Sequence, residues 1–132
     1  MSYNELFTGY FANTNKYLKA VYVPVSIAGK TPDFFKGERW VDFAPRKELF
    51  SKWKSGEISD IEYGREYIKY LETIPEEDIE ELRNLTKTAR YVMCCYEKTG
   101  DFCHRNYLAL FLRKKYKFNV SEVNLEVSVW LI

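Results

Sequence analysis

The chain is sparing with the residues that most often announce a function: one histidine and three cysteines in 132 residues. Cys94, Cys95 and Cys103 are too few and too clustered for the disulfide framework of a small secreted domain, so reduced thiols are expected. No apolar run approaches the roughly 18 residues of a membrane span. The opening Met1-Ser2-Tyr3-Asn4-Glu5 lacks the basic and apolar stretches of a signal peptide. Neither sign of charge dominates, with 20 Lys and Arg against 19 Asp and Glu and a net charge of +1. A protein that grips nucleic acid by its phosphates usually carries a basic surplus. These absences point to a cytoplasmic protein with no membrane partner and with no support from charge for nucleic acid.

Several motifs are missing as well. There is no Gly-x-Gly-x-x-Gly, no Walker loop and no His-Glu-x-x-His. A thiol phosphatase needs Cys, five residues, then Arg, but that position holds Gly100 or Asp101 counting from Cys94 or Cys95.

What is present is a core. Hydrophobic residues make up 46% and aromatics 17%, with Tyr 11, Phe 9 and Trp 3. With no repeat, linker or low-complexity tract, residues 1–132 are expected to fold as one domain.

Short apolar runs at residues 5–8, 20–27 and 90–95 read as strands, and the last (RYVMCC) as a central, buried one. Pro24 lacks an N–H and places the second run at an edge or a bulge. Residues 120–131 alternate from Val123 through Leu131 with period two, which marks a half-buried strand. That strand ends on Trp130, Leu131 and Ile132 without a charged residue after it, so a covered edge or a homodimer is expected.

Helices are predicted behind the capping residues Asn13 and Thr14, over residues 46–54 up to Ser55-Gly56, and from Ser59 to about Ile74. The third opens with a Ser59–Glu62 capping box and carries Ile61, Tyr67, Ile68 and Leu71 on its apolar stripe. Pro75 opens a fourth helix with Glu76, Glu77 and Asp78 behind it, and residues 103–116 form a fifth. Strands alternating with helices predict an α/β fold: three layers, Rossmann-like, a mostly parallel sheet with helices on both faces.

In such sheets ligands bind outside the carboxyl ends of the strands, where helix N-termini also point. Cys95 and Glu97 end the predicted central strand, and Cys103, His104 and Arg105 open the following helix. Four readings compete for them. Arg105 and the helix end bind an anion. Cys103 or Cys95 is a nucleophile activated by its cationic neighbours. Cys95, Cys103, His104 and Glu97 hold a metal, although the paired Cys-x-x-Cys spacing of structural zinc sites is missing. Glu97 acts as acid or base, or holds a hydroxyl. Packing explains part of the set equally well, since free Cys behaves as a small hydrophobe. Arg105 can pair with Glu97 or Asp101, and His104 can cap the helix. Tyr63 and Tyr67 share a helix face that can reach a pocket.

The segment from Val92 to Arg105 resembles the signature of the YeaO-like family, a domain of unknown function: an apolar strand, Cys95-x-Glu97, a short loop, then Cys103-His104-Arg105. Gly9-Tyr10-Phe11-Ala12-Asn13 is similar to a stretch in one branch of that family, as are Val25-Ser26-Ile27, Ala44-Pro45 and the Tyr63/Tyr67 pair. The resemblance runs from about Phe7 to Val123. Where many members have Asp-Val-Arg after the second strand, this chain has Val25-Ser26-Ile27, so no role of that acid and base carries over. The family implies a compact α/β fold with a rim site and supplies no reaction.

The expected function is an enzyme-like protein acting on a phosphate-bearing or nucleotide-like small molecule. Glu97, Cys103 and His104 carry the chemistry, and Arg105, Cys95, Asn13, Ser26 and Tyr10 bind. No cofactor or metal is expected. A ligand-sensing module using the same pocket, or an interaction domain presenting the aromatic loop 34–43, is the alternative.

Overall fold

The alternating pattern resolves, in a computed structural model that describes residues 5–96 and 103–123, into four strands and five helices. In chain order these are β1 (Glu5–Tyr10), α1 (Thr14–Lys19), β2 (Val23–Ser26), α2 (Lys47–Lys54), α3 (Asp60–Leu71), α4 (Glu76–Thr86), β3 (Tyr91–Cys95), α5 (His104–Tyr116) and β4 (Asn119–Glu122). The sheet runs β2-β3-β1-β4, and every pairing is parallel. The fold is a three-layer, Rossmann-like α/β sandwich.

Alternation along the strands sorts the core into two halves. Leu6, Val25, Met93, Cys95 and Val120 face one way and pack under α3, α4 and α5. Phe7, Val92 and Cys94 face the other way, against Tyr17 of α1, Tyr22 and Phe35. β3 has neighbours on both edges and helices on both faces, so four of its five residues are buried.

Pro24 does lie in an edge strand, where its missing N–H costs no ladder bond. β2 is nevertheless shorter than the apolar run suggests. Val21 takes a left-handed φ of 67°, and this turn between α1 and β2 delays the strand to Val23.

Three other expectations need correction. Ile61 is 66% exposed and belongs to the solvent face of α3, whose buried stripe is Tyr63, Tyr67 and Leu71 at intervals of four. That helix stops at Leu71, three residues early, and a turn carries the chain to Ile74. The last strand starts at Asn119, and its described part ends at Glu122; residues 124–132, with most of the alternating run, lie outside the described residues. The aromatic loop is mixed: Phe35 and Phe43 are buried, and Phe34 and Val41 are exposed. Among the described residues no helix is long and apolar enough to cross a membrane.

The capping box at α3 forms as read. Ser59 Oγ accepts from the Glu62 N–H at 3.1 Å, and the Glu62 carboxylate accepts from the Ser59 N–H at 3.2 Å. Ser59→Ala removes one partner of an exposed helix end and should cost about 1 kcal/mol. Urea unfolding will show it as a lower midpoint with an unchanged slope. A midpoint equal to wild type means the cap carries no stability.

Candidate functional site

Topology creates one special place at the strand ends. β1 leaves the sheet toward α1 on one face, whereas β3 leaves toward α5 on the other, and the two strands are neighbours with Tyr10 opposite Cys95. Adjacent parallel strands whose connections diverge in this way open a crevice between them. Cys103 is the N-cap of α5, so Cys103, His104 and Arg105 begin at that crevice.

Arg105 is 1% exposed, which is exceptional for a group that stays charged at any relevant pH. It shares the inner face of α5 with Leu108 and Leu112. Its Nε and Nη2 donate to the two carboxylate oxygens of Glu122 at 3.2 and 3.3 Å. Its Nη1 donates to the Cys95 sulfur at 2.8 Å. Glu122 also accepts from the Thr8 hydroxyl at 2.6 Å. The network therefore joins the ends of β1, β3 and β4 to α5. Among the described residues the carboxylate that pairs with Arg105 is Glu122; the expected pairing with Glu97 or Asp101 and the acid–base role of Glu97 fall on residues outside the described ones.

His104 is buried and points elsewhere. Its Nε2 lies 2.7 Å from the carbonyl oxygen of Ile27. A carbonyl only accepts, so Nε2 carries the proton and Nδ1 presents a lone pair to the Cys103 sulfur, 3.8 Å away. The Tyr67 ring meets the imidazole edge-on at 5.4 Å between centroids, and the Tyr67 hydroxyl donates to the Phe43 carbonyl. Burial is the main cause that drops the His104 pKa to about 4; the nearby Arg105 charge adds to it, and the Ile27 contact opposes it.

The Cys95 and Cys103 sulfurs meet across the crevice, with their Cα atoms 7.4 Å apart, wider than a relaxed disulfide spans, so the contact does not overturn the expectation of reduced thiols. They meet because the end of β3 and the start of α5 converge there. Cys94 is free, buried on the opposite sheet face, and its pKa is raised to about 12, chiefly by burial.

The remaining expected residues divide. Tyr10 ends β1 opposite Cys95, and Asn13 caps α1 through backbone position alone, with no side-chain cap bond; both are half-buried at the rim. Ser26 is buried and turned into its own loop, sharing a hydrogen bond with Thr31 at 2.8 Å and accepting from the Ala28 N–H. Two residues at the rim were missed. Glu122 falls on the same strand face as buried Val120, a period-two signal that marks it as inward-facing. Tyr17 reaches across β1, where its hydroxyl accepts from the Tyr10 N–H at 3.1 Å. A Cβ at Gly9 would sit 2.4 Å from that oxygen, so the glycine is what admits the phenol. Burial raises the Tyr17 pKa to about 12.

Two surface depressions lie away from this crevice. One of about 170 Å³ sits between Trp40 and α4, and one of about 630 Å³ between α2 and α3. Among the described residues no three His, Cys, Asp or Glu side chains converge as a metal site.

Residues 13–116 match the model of the DUF488-N3a family, described as the active DUF488-N3 subclade, a domain of unknown function. No curated protein and no solved structure matches the chain.

His104 makes a pH prediction of definite sign. Its native pKa lies below the unfolded value of 6.5, so between about pH 6.5 and 4 the unfolded chain holds a proton that the native chain refuses. Stability should be complete above that window and decline as pH falls through it, by an amount of order 3 kcal/mol. As the chain's only histidine, His104 gives a single imidazole NMR signal, and its midpoint should lie near 4. A midpoint near 6.5 would mean that the ring is solvated.

Proposed function

The chain belongs to the active DUF488-N3 subclade, and from that premise we propose that it is a thiol-dependent small-molecule enzyme with Cys103 as its nucleophile. The YeaO-like resemblance of Cys95-x-Glu97 and Cys103-His104-Arg105 is, on this reading, a resemblance to the same family. The observation that carries the proposal is the split engagement of His104: Nε2 on the Ile27 carbonyl, Nδ1 toward the Cys103 sulfur. A nucleophile, a base in reach of it and a third group orienting the base form the common logic of activated side-chain nucleophiles. In the reduced protein the Nδ1 lone pair accepts from the Cys103 S–H and orients it, and the α5 N-terminus favours the thiolate left when that proton departs to solvent.

Arg105 is then a positioning residue. Its Nε and Nη2 are engaged by Glu122 and its Nη1 by Cys95, so its part is to hold Cys95 and the sheet edge rather than to clasp a ligand anion. The substrate class remains a phosphate-bearing or nucleotide-like small molecule, its anionic group meeting the N–H groups that open α5. Tyr10 and Asn13 flank the same crevice as candidate contacts; Glu97, outside the described residues, keeps its proposed acid–base role on the sequence alone. The loop 34–43 supports an interaction role less well, because Phe35 and Phe43 are spent on the core.

The test is brief iodoacetamide labelling of the reduced protein at neutral pH, followed by peptide mapping. Cys103 should label fastest, Cys94 slowest, and phosphate should slow Cys103. A thermal-shift panel of nucleotides and phosphorylated metabolites should then give a ligand whose stabilisation survives Cys103→Ser while turnover is lost. Equal, slow labelling of all three cysteines, indifferent to phosphate, would overturn the proposal.

A further inference from the structure

The depression between Trp40 and α4 has a character that the crevice does not share. On α4, Asp78, Glu81, Leu82 and Leu85 stand at i, i+3, i+4 and i+7, the spacing of one helix stripe, and all four line it. The facing wall is the short turn Val41–Phe43, which brings Asp42, with Trp40 just before it. Buried Phe43, Ile74 and Leu82 make an apolar floor. Every charged side chain of the lining is a carboxylate: Asp42, Asp78 and Glu81. None of the three has an ion-pair partner among the described residues. We propose that this depression is a docking site for a partner protein that inserts an arginine side chain from a basic segment.

The pairing of floor and rim selects the occupant. Asp78 lies in the first turn of α4, where the helix dipole accounts for it, but Glu81 lies a turn further on. Three like charges gathered from two elements around an apolar floor want a cation with an apolar stem. An arginine has both: its methylenes cover apolar surface while its head stays at the rim. The guanidinium fork pairs with carboxylates bidentately and stacks on aromatic faces, indole being the strongest partner. Trp40 is braced at the mouth by Tyr91 and Phe43, with ring centroids 5.2 and 6.2 Å away.

Size selects the source of that arginine. The room is about 170 Å³, below the roughly 300–1,000 Å³ of sites that enclose a small molecule. One side chain fits, so affinity must come from residues that flank it on the same partner. The surrounding surface suits them: from Glu72 to Glu81 the chain holds six carboxylates and no Lys or Arg, in a protein of net charge +1. Glu76 and Glu77 there are exposed. Such a surface speeds encounter with a basic chain and repels polyanions.

The experiment titrates the isotope-labelled full chain with the acetylated, amidated peptide Lys-Leu-Arg-Leu-Lys and follows amide and indole NMR signals. The Trp40 indole and the amides from Asp78 to Leu85 should shift, and added KCl should weaken the response. Replacing the arginine of the peptide by norleucine should weaken binding about tenfold, the usual loss of an anchoring arginine. Asp78→Asn with Glu81→Gln, both neutral isosteres on half-buried or exposed positions, should keep a dispersed spectrum and weaken binding as much. Shifts centred elsewhere, or no shifts at millimolar peptide, would overturn the proposal. So would equal binding of the norleucine peptide, or undiminished binding by the folded double variant. Acetyl-arginine amide binding as tightly as the peptide would overturn the partner protein as the source. None of these readings involves the Cys103 crevice, so their failure leaves the proposed enzyme reading standing.

Discussion

A guanidinium sealed inside the sheet edge is the constraint around which this molecule is arranged. Arg105 cannot shed its charge, and a bare charge in a packed interior costs several kcal/mol unless it is paired and hydrogen-bonded. Glu122 meets it with both oxygens, and Thr8 ties that carboxylate to β1. The pairing therefore specifies more than a contact. β4 must lie beside β1 with Glu122 next to Thr8, and that is the observed register. A slip of one residue would turn Val120 outward and take the carboxylate away from the arginine. Hydrophobic burial supplies the bulk of the stability, while the ion pair selects the one register in which a charged core residue is tolerable.

The same constraint bears on why the proposed chemistry is placed at the divergence of β1 and β3. Each strand end there is committed to a different partner: Tyr10 N–H to the Tyr17 phenol, Cys95 to Cys103 and Arg105, Ile27 O to His104. α1 closes one side with a tyrosine that passes over Gly9, and α5 closes the other. The crevice is lined by polar atoms whose geometry is set by backbone, and such preorganisation is what a reacting group needs.

Much of this was legible in the residues. Apolar runs located β1, β2 and β3, and caps and periodicity located the helices, because buried β3 and the half-buried helices express their environments in composition; the alternating run that marked the last strand lies mostly outside the described residues. The Cys95 and Cys103-His104-Arg105 convergence was legible too, since it depends only on a strand end, a loop and a helix start. What was not legible required knowledge of the sheet order. Glu122 lies 17 residues from Arg105 and Thr8 lies 114 from Glu122, and no local pattern joins them. Ile61 misled for a related reason: at the first turn of a helix a single apolar residue says nothing about which face will be covered.

The compactness of the Cys-His-Arg run has its own logic. In an α-helix successive side chains point roughly 100° apart, so three consecutive residues at a helix start reach three separate neighbours. Here the thiol reaches Cys95, the imidazole reaches the Ile27 carbonyl beyond β2, and the guanidinium reaches Glu122 on β4. Inserting one residue would rotate the later side chains into one another's places and bring the neutral base to the carboxylate. Burial then separates their electrical characters: it strips the proton from His104 but cannot strip it from Arg105. A lone pair and a permanent cation thus stand one residue apart, the first against Cys103 and the second against Cys95. Two chemically identical thiols are made unequal by the helix that begins just after the second of them.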